Sequence, residues 1–112
     1  MKCNIVFVTV GNEEEGKKIA RQLVEEKLAA CVNIVPNIQS VYWWEGKIEE
    51  SQEYFLIIKT SEECVKMLIE RVKQLHSYAV PEVIAIDIVQ GNPDYLNWIT
   101  DSVQCTSPSF KK

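Results

Sequence analysis

The chain has 112 residues, a length typical of one domain, so a single hydrophobic core is expected. A composition of 46% hydrophobic and 25% charged residues excludes a largely disordered or collagen-like protein. The formal net charge of −4, with a pI near 5.0, argues against a surface that binds nucleic acid or anionic lipid. No apolar run approaches the roughly 18 residues of a membrane span, so we expect no membrane partner.

The cysteines predict neither a zinc ribbon nor a dithiol redox motif, because no C-x-x-C pair occurs among the four of them. The short apolar run Ile5–Val10 is followed at once by three glutamates, which is not typical of a signal peptide. We therefore expect a cytoplasmic protein with free thiols, two disulfides being the alternative. The cysteines are Cys3, Cys31, Cys64 and Cys105.

The first two elements are a strand and a helix. The β-branched run Asn4–Val10 predicts a buried strand. Asn12 with Glu15 three residues later forms a capping-box pattern, and apolar residues at helical spacing continue to Leu28. The sequence therefore predicts an amphipathic helix that packs on a sheet.

A long hairpin follows. Cys31–Val35 predicts a strand, Pro36 with Asn37 predicts a bulge or bend, and Ser40–Trp44 continues the extended chain. A two-residue turn at positions 45–46 leads into a return strand over Lys47–Lys59. Both arms exceed the usual strand length of about five or six residues. We therefore expect the hairpin tip to project beyond its own domain.

The remainder of the chain predicts two helices around one strand. Ser61 is the expected N-cap of a helix with apolar spacing from Val65 to Leu75, and Val83–Val89 predicts a strand. Asn92 and Pro93 predict the start of a third helix that continues to Val103. We expect one domain over residues 1–103 and a flexible tail over residues 104–112.

The order β-α-β-β-α-β with a terminal helix predicts an α+β fold of the ferredoxin-like type. In this arrangement both long helices lie on one face of a four-stranded antiparallel sheet. The opposite face, which is apolar in this sequence, has to be solvated, used for binding or buried against another subunit. The apolar strands favour burial against another subunit.

The loop between the second helix and the fourth strand carries the densest set of reactive groups. It contains His76, Tyr78 and Glu82. One interpretation is structural, with a histidine that caps the helix C-terminus, a packed tyrosine and a solvated carboxylate. The other is a metal-ligand loop, because imidazole is a common metal ligand and a carboxylate can complete its site.

Three successive aromatic residues end the first arm of the hairpin. Alternation along the strand directs Trp43 to one face and Tyr42 with Trp44 to the other. Such residues belong to a core, a subunit interface or a base-stacking surface. Base stacking is disfavoured in an acidic protein whose first strand offers only Phe7. Cys31, beside two alanines, is expected to be a small buried residue.

From residues 4 to 103 the chain resembles the CutA divalent-cation-tolerance family. Six blocks stand at the spacing of that family. The blocks are Val8-Thr9, Leu28-Ala29-Ala30-Cys31-Val32-Asn33-Ile34, Ser40-Val41-Tyr42-Trp43-Trp44-Glu45-Gly46-Lys47, Leu56-Ile57-Ile58-Lys59-Thr60, His76-x-Tyr78-x-x-Pro81-Glu82 and Tyr95-Leu96-x-Trp98-Ile99.

The resemblance implies a homotrimer in which the three sheets face inward, as in PII signal transducers. It also implies a role in the binding of Cu²⁺ or another divalent cation, with no enzymatic reaction and no organic cofactor. By the resemblance, the metal ligands would be His76, Glu82 and Cys31. The ligand cleft would contain Lys59, Tyr78 and Trp44, and the subunit interface would contain Tyr42 and Trp43.

Two further functions stay open. One is a PII-like sensor of a small anion or nucleotide, in which Lys59 would face the phosphate, although no Gly-rich phosphate loop accompanies it. The other is a structural trimer that anchors protein partners. Ser77 replaces the proline that usually follows the histidine in the family, and neither Val8 nor Leu75 supplies the extra Cys or His that some members offer. A Cys-His-His copper site is therefore not expected.

Overall fold

The computed structural model describes residues 2–105 and confirms the α+β, ferredoxin-like arrangement. Residues 1 and 106–112 lie outside the described part, as does most of the tail that the sequence predicts to be flexible. The elements are β1 (Cys3–Val10), α1 (Glu13–Glu25), β2 (Cys31–Trp44), β3 (Lys47–Ser61), a 3-10 turn (Glu62–Cys64), α2 (Val65–Leu75), β4 (Val83–Asp87) and α3 (Pro93–Ser102).

The four strands form one antiparallel sheet in the order β2-β3-β1-β4. Alternate residues of β1 and β3 face α1 and α2 and are buried, because the side chains of a strand point to opposite faces in turn. The core that they form with the two helices contains Val6, Val8, Val10, Leu56, Ile58, Ile19, Leu23, Leu68 and Val72.

The opposite sheet face is apolar, and α3 covers only the end of it at Cys3, whose thiol lies 3.6 Å from the Leu96 carbonyl oxygen. Phe7 and Phe55 stack on this face with their ring centroids 5.2 Å apart. Ile84 and Ile86 of β4 pair with β1 on the same face and are 53% and 48% exposed. This is the bare sheet face that the sequence predicts.

The hairpin of β2 and β3 gives the molecule its length. Glu45 and Gly46 make its two-residue turn with φ angles of 51° and 80°, which a hairpin turn of type I′ requires. The register shifts between Val35 and Ile38, where Pro36 cannot donate to the ladder and Asn37 adopts a φ of 62°. The long axis of the chain measures 48 Å against 24 Å for the shortest.

Several local predictions differ from the structure. The first helix ends at Glu25, not Leu28, because Lys27 adopts a φ of 59°, and the amides of Leu28 and Ala29 then donate to the Leu23 carbonyl. Ser61 makes no capping hydrogen bond. The fourth strand ends at residue 87, two residues earlier than expected. Asn92 caps the third helix as predicted, by accepting from the Asp94 amide.

The prediction of free thiols is wrong for two of the four cysteines. Cys64 and Cys105 form a disulfide, while Cys3 and Cys31 are free. Cys105 reaches Cys64 because the chain turns back after α3, where the Gln104 amide donates to the Lys27 carbonyl at 2.9 Å. Positions 104 and 105 are therefore held against the domain and are not part of a flexible tail.

Candidate functional site

The loop that follows α2 is held by a buried histidine. The Nε2 atom of His76 lies 2.7 Å from the Thr9 carbonyl oxygen, and its Nδ1 accepts from the Tyr78 amide at 3.1 Å. These partners select the tautomer with a proton on Nε2, which donates to the carbonyl. The imidazole side chain has no exposed surface. His76 therefore joins the loop to the end of β1.

Glu15 provides the second anchor of this loop. Its carboxylate accepts from the Ser77 amide at 2.7 Å and from the Ser77 hydroxyl at 3.0 Å, and one oxygen lies 3.4 Å from His76 Nδ1. Asn12 accepts from the Glu15 amide as the capping-box pattern predicts. The Glu15 carboxylate, however, contacts the loop and not the Asn12 amide, so only half of the predicted capping box forms.

The anchored loop places Tyr78 and Glu82 at a cavity beside the root of the hairpin. The cavity has a volume of about 720 Å³ and lies where β1 ends and the hairpin continues. Tyr78 approaches the backbone closely, since a Cβ atom on Gly11 would lie 3.1 Å from its hydroxyl oxygen. The lining residues are Thr9, Gln39, Ser40, Val41, Tyr42, Trp44, Glu53, Tyr78, Ala79, Val80 and Glu82.

Glu53 is the functional candidate that sequence reasoning missed. It lies on β3, is 6% exposed, and accepts a 2.7 Å hydrogen bond from the Tyr78 hydroxyl. It stands only three residues after two exposed glutamates of the same strand, so its type and spacing carried no distinctive signal. The one available indication was its position directly before the apolar run 54–58. Because carboxylates are rarely buried, this position alone did not predict that Glu53 lies in the interior.

The electrostatics of the cavity reflect two carboxylates without a counter-charge. Partial burial, followed by the charge of Glu53, raises the pKa of the Glu82 carboxyl above its ordinary value. Burial and the hydrogen bond to Glu53 raise the pKa of the Tyr78 phenol, so the phenol stays protonated and donates. No lysine or arginine lines the cavity within the described residues.

The structure does not bring the three predicted metal ligands together. Glu82 lines the cavity, whereas both ring nitrogens of His76 contact protein atoms. Cys31 pairs with Lys59 in the β2-β3 register, six residues along β3 from Glu53, or roughly 20 Å along an extended strand. Within residues 2–105, no group of three or more His, Cys, Asp or Glu side chains could hold a metal ion.

The predicted cleft and interface residues separate in a similar way. Trp44 and Tyr78 line the cavity, whereas Lys59 lies on the open sheet face and donates to the Asn33 side chain. Tyr42, expected at the subunit interface, also lines the cavity. Trp43 points away from it and is 72% exposed. The alternation of these aromatic residues is therefore as predicted.

A smaller groove of about 400 Å³ lies between α1 and α2. Its main charged groups pair with one another, since Arg71 Nη2 lies 2.8 Å from Glu26 Oε2 and Arg71 Nε lies 2.9 Å from Glu26 Oε1. The pair joins the two helices. This groove has a structural explanation and is not the candidate site.

The fold defines a class, an α+β protein of ferredoxin-like fold, and its cavity is lined by two carboxylates and, among the described residues, by no lysine or arginine. No helix among the described residues is long and apolar enough to cross a membrane. The family model for "CutA1 divalent ion tolerance protein" matches residues 4–102. The chain belongs to the CutA family.

Individual relatives agree with this assignment. The chain is 55% identical over 100 residues to "Protein CutA 1, chloroplastic" of Oryza sativa, a match that covers 89% of this chain and 56% of the relative. It is 49% identical over 98 residues to "Divalent-cation tolerance protein CutA" of Thermus thermophilus, covering 88% and 95%. The chain thus spans little more than half the length of its plant relatives.

Solved structures show the same fold. The crystal structure of CutA1 from Oryza sativa superimposes with a TM-score of 0.92 at 52% identity, covering 95% of this chain and 97% of that one. The periplasmic divalent cation tolerance protein CutA of Archaeoglobus fulgidus gives a TM-score of 0.88 at 44% identity, covering 91% and 99%.

Proposed function

We propose that this protein binds a divalent cation, Cu²⁺ or another, as a homotrimer with a regulatory or homeostatic role. The observation that carries the proposal is that Glu53 and Glu82 face one cavity whose described lining contains no basic residue. Relatives named for divalent-cation tolerance support it. Carboxylate oxygens ligate hard and borderline divalent cations, and Cu²⁺ accepts oxygen ligands.

The donor set fits a cation only in part. Two carboxylates and the Tyr78 hydroxyl are too few to fill the coordination sphere of a divalent ion, so water or a neighbouring subunit would supply the rest. His76 acts in this proposal by positioning Tyr78 and Glu82. A binding role without a catalytic cycle stays a prediction.

Trimerisation is proposed from the exposed apolar surface. The open sheet face presents Ile84 and Ile86, and the hairpin presents Val41, Trp43 and Ile48 at 66%, 72% and 61% exposure. Apolar surface of this extent is usually buried in an interface. A cytoplasmic location stays a prediction, because related proteins carry both chloroplastic and periplasmic in their names.

The test is calorimetric titration of the metal-free protein with Cu²⁺ and Zn²⁺, with the molar mass measured by light scattering in the same buffer. We expect a trimer that binds saturably at a constant ratio per subunit. Glu53→Gln and Glu82→Gln should each weaken binding, whereas Glu50→Gln, an exposed carboxylate on the same strand, should not.

Two results would contradict the proposal. Unchanged binding in a Glu53→Gln, Glu82→Gln double variant would place the cation elsewhere. An intact trimer without saturable binding would favour a structural trimer that anchors protein partners. A phosphate-binding sensor is disfavoured, because Lys59 contacts Asn33 and does not line the cavity.

A further inference from the structure

The cavity beside the hairpin root is much larger than a bare metal ion requires. Its volume of about 720 Å³ lies within the range of roughly 300–1,000 Å³ that is typical of small-molecule pockets. A water molecule takes about 30 Å³ in the liquid. The volume therefore fits an organic molecule of several heavy atoms better than a single hydrated cation.

Aromatic side chains form much of the cavity wall. Tyr42 and Trp44 come from β2, and Tyr78 comes from the loop that His76 and Glu15 anchor. Aromatic rings attract cations through the negative potential of their faces, and tryptophan does so most strongly. They also pack against alkyl groups. This wall is suited to a ligand that is both cationic and partly apolar.

A buried carboxylate faces the same space. Glu53 is more than nine-tenths buried, yet its only hydrogen-bond partner among the described residues is the Tyr78 hydroxyl, on Oε2. Its Oε1 has no donor or cation in residues 2–105, and it does not form an ion pair there. Because Oε1 is not fully buried, it is accessible from the cavity, where a positively charged ligand would supply the missing counter-charge. Glu82 supplies a second carboxylate beside it.

We propose that this cavity binds a small organic ammonium ion, with the charged nitrogen at Glu53 and Glu82 and the alkyl groups against Tyr42 and Tyr78. The inference rests on the proposed function in that it takes the cavity to be a cation site. It adds the chemical class of a second occupant. An organic ammonium ion and a divalent metal ion would compete for the same two carboxylates.

The test is titration of the protein with n-butylammonium chloride, followed by calorimetry and tryptophan fluorescence. The uncharged analogue n-pentanol separates charge recognition from apolar binding. We expect saturable binding of butylammonium, at least tenfold weaker binding of pentanol, and competition by Cu²⁺ or Zn²⁺ at equal ionic strength.

Matched variants assign the contacts. Glu53→Gln and Glu82→Gln should each weaken butylammonium binding at least tenfold. Tyr42→Leu should weaken it about three- to tenfold, because the ring that packs against the alkyl chain is lost, and Tyr42→Phe should restore part of the loss. Trp98→Leu, which alters an exposed ring on α3 outside the cavity, should bind like the unchanged protein. Divalent-cation binding should be the same in Trp98→Leu as in the unchanged protein.

The outcomes separate this inference from the proposed function. Divalent-cation binding without saturable butylammonium binding would overturn the inference alone, as would equal affinity for pentanol or an unchanged affinity in Tyr42→Leu. Carboxylate-dependent butylammonium binding without divalent-cation binding would overturn the proposed metal role alone. Binding of neither cation would overturn both.

Discussion

The Tyr78 hydroxyl donates a 2.7 Å hydrogen bond to the Glu53 carboxylate, and this contact connects the loop after α2 to the long hairpin. The two residues lie 25 positions apart in the chain. The raised pKa of the phenol keeps the proton on Tyr78, so the bond persists through the neutral pH range. One side of the cavity is therefore closed by a polar contact that no local sequence pattern specifies.

Replacement of Tyr78 with phenylalanine should lower the free energy of unfolding by about 1–2 kcal/mol, because Glu53 would remain buried without its donor. Urea denaturation measures this change. Tyr54→Phe is the control, since the Tyr54 hydroxyl has no hydrogen bond within residues 2–105. An equal loss in the two variants would show that the Tyr78 bond contributes nothing specific.

Replacement of Glu15 with alanine should release the loop from α1. Both hydrogen bonds to Ser77 would be lost, at a cost of about 1–2 kcal/mol, and the amides of residues 76–82 should exchange hydrogen faster. Cation binding in the cavity should weaken as Tyr78 and Glu82 become less well positioned. Glu14→Ala, in the same helical turn but exposed, serves as the control. Equal exchange rates in both variants would contradict the anchoring role.

Loss of the disulfide should destabilise the protein. The bridge joins residues 41 positions apart. Closing a loop of this size lowers the entropy of the unfolded chain and so raises the free energy of unfolding by about 2–4 kcal/mol. Cys105→Ser, or treatment with a dithiol reductant, should therefore lower the melting temperature. Cys31→Ser removes a free thiol and should leave the reductant effect unchanged. A melting temperature that does not respond to reduction would argue against the bridge in solution.

The Glu26–Arg71 pair should make stability depend on pH below neutrality. The hydrogen bond from Arg71, with a smaller one from Gln22, lowers the pKa of the Glu26 carboxyl relative to its ordinary value of 4.5. A lowered folded-state pKa means that the unfolded chain binds the proton more readily. The contribution of the Glu26–Arg71 pair to the free energy of unfolding is therefore present above pH 4.5. It is lost as the pH falls through the pKa of Glu26 in the folded state.

Glu26→Gln should accordingly be less stable than the unchanged protein at pH 7, and the difference should shrink as the pH falls below 4.5. Thermal melts at a series of pH values measure this difference. Glu49→Gln, an exposed carboxylate without an ion pair in residues 2–105, should show no such trend. A constant difference across the series would mean that Glu26 acts through packing and not through its charge.

Features that depend on neighbouring residues could be predicted from the sequence. Asn12 and Asn92 cap their helices because an Asn side chain accepts from an amide two or three residues later. Pro36 interrupts the ladder because it has no amide proton. The helical spacing of apolar residues placed Leu68 and Val72 in the core. These are consequences of chemistry within one or two turns of chain.

Features that depend on distant contacts were missed or mistaken. The burial of Glu53 requires Tyr78, and the Cys64–Cys105 bridge requires the chain to turn back after α3. His76 was considered as a metal ligand, but its ring nitrogens contact Thr9 and the Tyr78 amide. A residue type that suits several roles is assigned to one of them only by its spatial neighbours.

The sequence by itself determined the order of elements, the length of the hairpin and the apolar character of both sheet faces, because side-chain alternation and helical periodicity are properties of the local chain. Only the tertiary structure decided which carboxylate joins Glu82 at the cavity, and that Cys31 and Lys59 lie far from it. The reason is that six residues of an extended strand, from Glu53 to Lys59, span roughly 20 Å. The loop anchored by His76, in contrast, brings Tyr78 into contact with Glu53, 25 positions away in the chain.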